Sequence, residues 1–460
     1  MNHDIGPPGL LPGEGAGART VSRSVALAVL ACVMASGCGD PESARSPNVL
    51  LISLDACRAD HLGSYGYSRD TSPFLDRVAA EGVRFEWAFV NTHGTPPSHT
   101  TILSSLYQET HRVQLNDLKT LAHFRIPDNV RLLQEHFREA GYRTLGVTAG
   151  GWMSAEFGYS RGFDVFDDRA TTIEDGAQQV VEQVRQSSDG DQPLFVFLHT
   201  YEIHSPYDPP AAYRSLWGEF PSRFEASSEN LLAINRDRLD ANESDRLFIT
   251  AMYDAGVRYT DDILRGMFAE LESLGFFDDY IVVITADHGE ELGERGAYLH
   301  RKLLFDDLIR VPLIMRGTRV PTGTVRPELV SSIDIAPSLL AYAGIEVTAR
   351  MEGRDLLSGE RGAADEIFSQ YGSRRYAIRT REWKLIFNTR SAVAKLYDLR
   401  ADPQERENVF ALYPDTGRAL ELRLREWRNG LQQLPVLGGA SDVEIPDELA
   451  ERLRGLGYLD

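Results

Sequence analysis

Four stretches carry residue types that could meet at one divalent cation. Asp55 ends NVLLISLD, His199 and His204 lie in FLHTYEIH, Asp287 and His288 are adjacent in VVITADHG, and Thr95 lies in HGTPPSH. Carboxylates mixed with imidazoles suit zinc, manganese or a similar ion, and the three cysteines, Cys32, Cys38 and Cys57, form no thiolate cluster. Asp55 alone would be a turn former, and Asp287-His288 alone an Asp-led turn. Two potential ligands directly after a buried strand are costly unless something uses them, and together the three point to a metal site. Thr95 precedes Pro96 and Pro97, which set helical φ, and Ile102, Leu103 and Leu106 follow at helical spacing. The pattern predicts Thr95 as a helix N-cap, its hydroxyl at the positive end of the helix, where backbone N–H groups can meet an anion. Alone this stretch reads as an ordinary capped helix start; beside the metal set, the hydroxyl becomes a nucleophile.

The elements that must position these residues alternate. Asn48 to Asp55, Arg143 to Thr148, Pro193 to Thr200, Tyr280 to Ala286 and Val311 to Met315 are short apolar runs of the kind buried on both faces of a parallel sheet. Between them fall helical segments after Ser72-Pro73, around Val130 to Ala140, over Thr172 to Gln186 and over Glu243 to Leu274, with Gly82, Gly141 and Gly275 as stops. The pattern predicts an α/β fold, a mainly parallel sheet flanked by helices. In such sheets ligands bind beyond the carboxyl ends of the strands, where Asp55, His199, His204, Asp287 and His288 would project together. From Ile367 the texture changes to four short strands, predicting a small antiparallel sheet, then a helix over Tyr413 to Leu431. The tail after Gly439 holds one further helix, Pro446 to Arg454, and is otherwise expected at the surface.

The formal net charge of -20 over 460 residues argues against nucleic acid as a partner. A bound cation would supply the local positive potential that an anionic ester substrate needs. Arg19 and Arg23 precede the apolar run Val25 to Met34 and the small residues Ala35-Ser36-Gly37 before Cys38, an export signal pattern too short to span a bilayer comfortably. The expected organisation is a signal peptide over 1–37, a linker over 38–46, a catalytic core over 47–345 and a C-terminal subdomain with terminal helices over 346–460. Cys38 stands where a bacterial lipobox places its lipidated residue, implying an exported protein anchored on the periplasmic side of a bacterial membrane; cleavage near Gly37 to a soluble periplasmic protein is the alternative. Composition leaves the oligomeric state open.

With these residues assembled, the chain resembles the sulfatase family of the alkaline phosphatase superfamily. The resemblance rests on PNVLLISLDACRADHLGSYGY, TSPFLDRVAAEGVRFEWAF, the Thr95 stretch, FLHTYEIHSPYDPP, VVITADHGEELGERG and FDDLIRVPLIMRG. The later segments SSIDIAPSLLAYAGI, YAIRTREWKLIFN and LYDLRADP look like that family's C-terminal subdomain. The resemblance implies Asp55, Thr95, Asp287 and His288 around one divalent ion, zinc, manganese or calcium, with a second ion left open. It implies that His204, His300 and Lys302 contact the transferred anion or leaving group, and that His99, in place of an arginine, orients Thr95 or the anion. His199 and Glu202 are weaker candidates, and Cys57 reads as packing. Sulfatases that form formylglycine need Cys or Ser where Thr95 stands, and the family's second consecutive Asp is Ala56 here. The Thr-x-Pro-x-His pattern looks more like nucleotide pyrophosphatase/phosphodiesterases, and phosphoethanolamine and lipoteichoic acid-type phosphoglycerol transferases also use Thr. A Thr ester must be cleaved by a second displacement, which suits a phosphoryl centre. The expectation is a metal-dependent ester hydrolase acting through a covalent Thr95 intermediate, phosphate esters favoured over sulfate esters. A true sulfatase, a phosphoryl-group transferase and an inactive exported binding protein are the alternatives.

Overall fold

The computed structural model describes residues 46–458 except 114–124, 188–189, 191, 348, 359–364, 436 and 438–444. Cys38 and the expected signal peptide lie outside the described residues; among the described residues no helix is long and apolar enough to cross a membrane. In chain order the strands are β1 (Asn48–Leu54), β2 (Val83–Phe89), β3 (Arg143–Val147), β4 (Val165–Asp167), β5 (Leu194–Thr200), β6 (Tyr280–Thr285), β7 (Glu291–Leu292), β8 (Tyr298–Leu299), β9 (Arg310–Val311), β10 (Leu313–Gly317), β11 (Thr324–Ser331), β12 (Ile367–Tyr371), β13 (Arg375–Arg379), β14 (Trp383–Asn388) and β15 (Val393–Asp398). The helices are α1 (Pro73–Ala80), α2 (Thr95–Ser104), α3 (Gln108–His111), α4 (Leu133–Glu139), α5 (Ile173–Ser187), α6 (Ser228–Asn235), α7 (Glu243–Ser273), α8 (Asp306–Ile309), α9 (Ile335–Tyr342), α10 (Pro414–Gln432) and α11 (Asp447–Gly455).

The large sheet has the order β11-β2-β10-β6-β1-β5-β3-β4, and β9 pairs with β2. Parallel pairing joins β1 to β5 and β6, β3 to β4 and β5, and β11 to β2. Strand β1 is central, and its side chains alternate between two apolar layers, as the pleat requires. Leu50, Ile52 and Leu54 join the layer holding Phe74 of α1, Val180 of α5 and Leu264 of α7. Val49 and Leu51 face Ile102 of α2, Phe137 of α4 and Leu339 of α9. Truncating one of these buried side chains to Ala would cost about 2–5 kcal/mol. The layers match the continuous hydrophobicity of the predicted strands.

The sequence pattern and the structure part company at β10 and at β11. Val311 to Met315 is split by Pro312 into β9 and β10, and β10 runs antiparallel to both β2 and β6, because periodicity carries no information on direction. Strand β11 escaped detection: Pro327 and alternating exposed residues mark its first half, which sits at the sheet edge with a register shift between Arg326 and Leu329. The small sheet β12-β13-β14-β15 is antiparallel as expected, and α10 packs on it through Leu420 and Leu424. A bridge between Thr92 and Gln370 ties this sheet to the loop that leads into α2.

Candidate active site

Register decides which residues meet. Ser53 of β1 lies beside His199 of β5 and Thr285 of β6, so the residues that follow each strand leave the sheet at one edge. The Asp55 N–H donates to the Thr200 carbonyl at 3.1 Å, which holds the β1 exit against the β5 exit. Beyond that edge Asp55, Asp287 and His288 converge, each fully buried, with one ligand atom apiece within 4.8 Å of the others. His288 Nε2 stands 3.6 Å from Asp55 Oδ1 and 3.5 Å from Asp287 Oδ2. None of these three atoms has a hydrogen-bond partner. His288 Nδ1 donates to the Gly289 carbonyl, so Nε2 presents its lone pair to the two carboxylate oxygens. Gly289 is required there, because a Cβ would lie 2.1 Å from the Asp307 carbonyl oxygen.

Three inward-facing acceptors without a donor among them fit a cation. Burial raises the Asp55 pKa above the usual carboxylate range, and burial with Asp55 alongside does the same for Asp287. Burial opposes the charged form of His288, yet Asp287 and Asp55 together raise its pKa. A divalent ion would replace these shared protons, and separations of about 3.5 Å are what ligands at about 2.0–2.2 Å from one ion span. Ala56, in the left-handed region with φ 59°, points its N–H to Asp287 Oδ1 at 3.3 Å. The family's second Asp position thus contributes a backbone donor here and no ligand.

Thr95 is the first residue of α2, not its N-cap. Gly94, with φ 94° and ψ 130°, is the cap, and its carbonyl accepts the first helical bond from Ser98 at 3.1 Å. Freed from capping, Thr95 Oγ1 donates to Asp55 Oδ2 at 3.2 Å. His199 Nε2 lies 3.2 Å from the same Asp55 oxygen. His99 sits beneath Thr95 and away from the opening. Its Nδ1 donates to the Thr95 carbonyl at 2.9 Å, and its Nε2 accepts from Ser53 Oγ at 2.9 Å. Burial pushes this imidazole down to about 3, so it is the neutral clamp that fixes the first turn of α2 to β1.

The opposite wall is a run of imidazoles. His204 donates from Nδ1 to the Ser205 carbonyl, and its ring lies 5.0 Å from that of His300. The His300 ring lies tilted, 4.5 Å from that of His288, and meets Glu290 Oε1 at 3.3 Å. Burial lowers His204 to about 4, lowers His300 well below the usual imidazole range, and raises Glu290 to about 7. Lys302 is exposed at the rim of a cavity of about 310 Å³ that His204, His300 and Gly94 also line. Glu202 is not at the site: it accepts the Ile173 N–H at the start of α5. Cys57 is buried, without a base beside it. Two site residues went unread in the sequence. Glu290 was legible as the next carboxylate after Asp287-His288. Tyr458, on the tail expected at the surface, places its hydroxyl 3.3 Å from Thr95 Oγ1 and 3.0 Å from His204 Nε2, and no local pattern pointed there.

The family model described as Sulfatase matches residues 47–345, and the one described as N-sulphoglucosamine sulphohydrolase, C-terminal, matches residues 293–429. The chain is 22% identical to the N-acetylglucosamine-6-O-sulfatase of Bacteroides thetaiotaomicron, over 84% of this chain and 87% of that protein. A solved structure in complex with D-glucosamine-2-N,6-O-disulfate superposes with a TM-score of 0.70 at 19% identity, covering 85% of this chain and 99% of the other. The phosphonate monoester hydrolase of Agrobacterium radiobacter superposes with a TM-score of 0.69 at 21% identity, covering 87% and 100%.

Proposed function

Because the chain belongs to the sulfatase family of metal-dependent hydrolases, we propose that it cleaves phosphate esters through a covalent Thr95 intermediate at a cation held by Asp55, Asp287, His288 and Thr95. One observation carries this reading: three buried ligand atoms without hydrogen-bond partners face one another, and the Thr95 hydroxyl is hydrogen-bonded to the same Asp55 carboxylate. The ion would supply Lewis acidity, favouring the deprotonated hydroxyl and offsetting charge on the anion. Thr95 Oγ1 attacks the phosphorus and its proton leaves toward Asp55. The bond to the ester oxygen breaks, the departing oxygen takes a proton from solvent in the cavity, and His300 and Lys302 on the far wall hold the alcohol and the anion's remaining oxygens, with His204 beside them carrying the Tyr458 hydroxyl. Water then displaces Thr95 in a second attack. His99 keeps Thr95 in place through both steps.

Unmodified Thr favours phosphorus, because a Thr ester has no route to collapse to an aldehyde, and the same fold serves a phosphonate monoester hydrolase. The relative acting on N-acetylglucosamine-6-O-sulfate favours a second reading, a sulfuric ester hydrolase with the same residues. Transfer to an acceptor alcohol begins with the same attack. The leader before Cys38 supports export and lipid anchoring. Mass spectrometry of metal-loaded protein, quenched during reaction with aryl phosphate diesters, monoesters and sulfates, tests the reading. A phosphoryl adduct on Thr95 is expected; a sulfated Thr95 transfers the assignment to the second reading, and no adduct with any substrate overturns both.

A further inference from the structure

The segment Leu456-Gly457-Tyr458 follows α11 into the opening above Thr95. Its approach is built. Leu449 and Leu453 of α11 are buried in the layer shared with α2, and Arg452 donates from Nη1 to the Asp168 carbonyl at 2.6 Å and from Nη2 to the Arg169 carbonyl at 3.1 Å. Gly457 turns the chain with φ +80°, and a Cβ there would lie 2.8 Å from Ser228 Cβ, so only glycine passes this point without a shift. The turn delivers the Tyr458 ring between Trp152, edge-on at 5.6 Å, and His204, stacked at 5.4 Å. His204 Nδ1 already donates to Ser205, so its Nε2 accepts the Tyr458 hydroxyl proton at 3.0 Å. That hydroxyl oxygen is 3.3 Å from Thr95 Oγ1.

An atom under attack by Thr95 must come within about 3–3.5 Å of Oγ1, and the phenol already borders that volume. The cavity of about 310 Å³ that opens from it has Leu456, Gly457 and Tyr458 along one side and Leu232, Leu299 and Tyr371 along its apolar lining. Once the anionic head of a substrate is seated at Thr95, its alcohol portion has this cavity to occupy. We propose that Tyr458 is the specificity-determining wall of the site, limiting the size of the alcohol portion that can lie beside the reacting position. The proposal rests on Thr95 marking the reacting position, and it concerns binding, so it can be read without turnover.

Isothermal titration of the metal-loaded full chain with phenylphosphonate and with 4-biphenylylphosphonate, neither of which has an ester bond to cleave, makes the test. Wild type should bind the phenyl compound about tenfold or more tightly over the biphenylyl one. Tyr458→Ala should bring that ratio to about one, while Tyr458→Phe, which keeps the ring, should retain it. If Tyr458→Ala loses its melting transition, Tyr458→Leu replaces it, with a several-fold fall in the ratio expected. An unchanged ratio in a folded Ala or Leu variant overturns the proposal, and so does failure of wild type to bind either compound. The nucleophile is tested apart from this ratio, by the absence of an adduct on Thr95→Ala with the aryl phosphates. Loss of the nucleophile reading and loss of the wall are therefore separate results.

Discussion

Asp55 Oδ1 and His288 Nε2 face each other across 3.6 Å although 233 positions separate them in sequence numbering, and neither atom is hydrogen-bonded. Two buried acceptors this close are tolerated only if a cation or a shared proton lies between them. The partner Asp287 Oδ2 at 3.5 Å from the same nitrogen completes a three-cornered arrangement.

Removing one corner should show in metal binding. Asp287→Asn is expected to weaken zinc or manganese affinity by about two orders of magnitude. It should also abolish the rise in melting temperature that the ion gives wild type, since only a ligand that binds the folded state stabilises it. An unaltered titration would remove Asp287 from the ligand set.

The Thr95 hydroxyl should be indispensable to turnover. Thr95→Ala deletes the hydroxyl bonded to Asp55, and a fall in kcat of about three orders of magnitude, with an unchanged melting temperature of the metal-free protein, is expected. Activity equal to wild type would end the covalent mechanism.

His111 offers a pH test away from the metal cluster. Its Nδ1 accepts the Val113 N–H at 3.1 Å, its Nε2 lies 3.1 Å from Thr101 Oγ1, and burial pushes its pKa down to about 3. The folded state resists a proton that the unfolded chain takes up near pH 6.5, so the stabilisation is complete above that value and is lost progressively as pH falls toward 3. Between pH 7 and pH 5 wild type should lose about 2 kcal/mol more than His111→Gln. Parallel slopes of urea stability against pH in the two proteins would refute it.

Lys384 is fully buried in β14, with Nζ 2.7 Å from Asp306 Oδ1 and 2.8 Å from Glu405 Oε1. Lys384→Met leaves Glu405 buried without its cation and Asp306 with Arg379 alone, 3.2 Å away, and should cost about 3–5 kcal/mol in urea unfolding. Because Asp306 opens α8, just after the loop bearing His300 and Lys302, the same change should also raise KM for an anionic ester. A variant as stable as wild type would show that the pair is compensated elsewhere.

Cys38→Ser should yield a protein without N-terminal lipid, checked by intact mass after membrane extraction. Persistence of a lipid-modified chain would point to a different anchor.

What the chain determined locally is what depends on short-range patterns. Apolar runs placed β1, β3, β5 and β6, and because ligands in such sheets collect beyond the strand ends, Asp55, His199, Asp287 and His288 were legible before any coordinates. Pro96 and Pro97 marked the start of α2 to within one residue, and Gly94 took the cap because a glycine can hold φ 94° where Thr95 cannot. The tertiary structure decided the rest through contacts between distant segments. Strand direction in β10 follows from pairing with β6 and β2, which no periodicity encodes. His99 is tied to both β1 and α2 because Ser53 lies within reach of its Nε2 and the Thr95 carbonyl within reach of its Nδ1. Tyr458 entered the site because Leu449 and Leu453 anchor α11 in the core and Gly457 turns the chain toward Thr95. A side chain delivered by packing from 363 positions away leaves no trace in the spacing around the residue it meets.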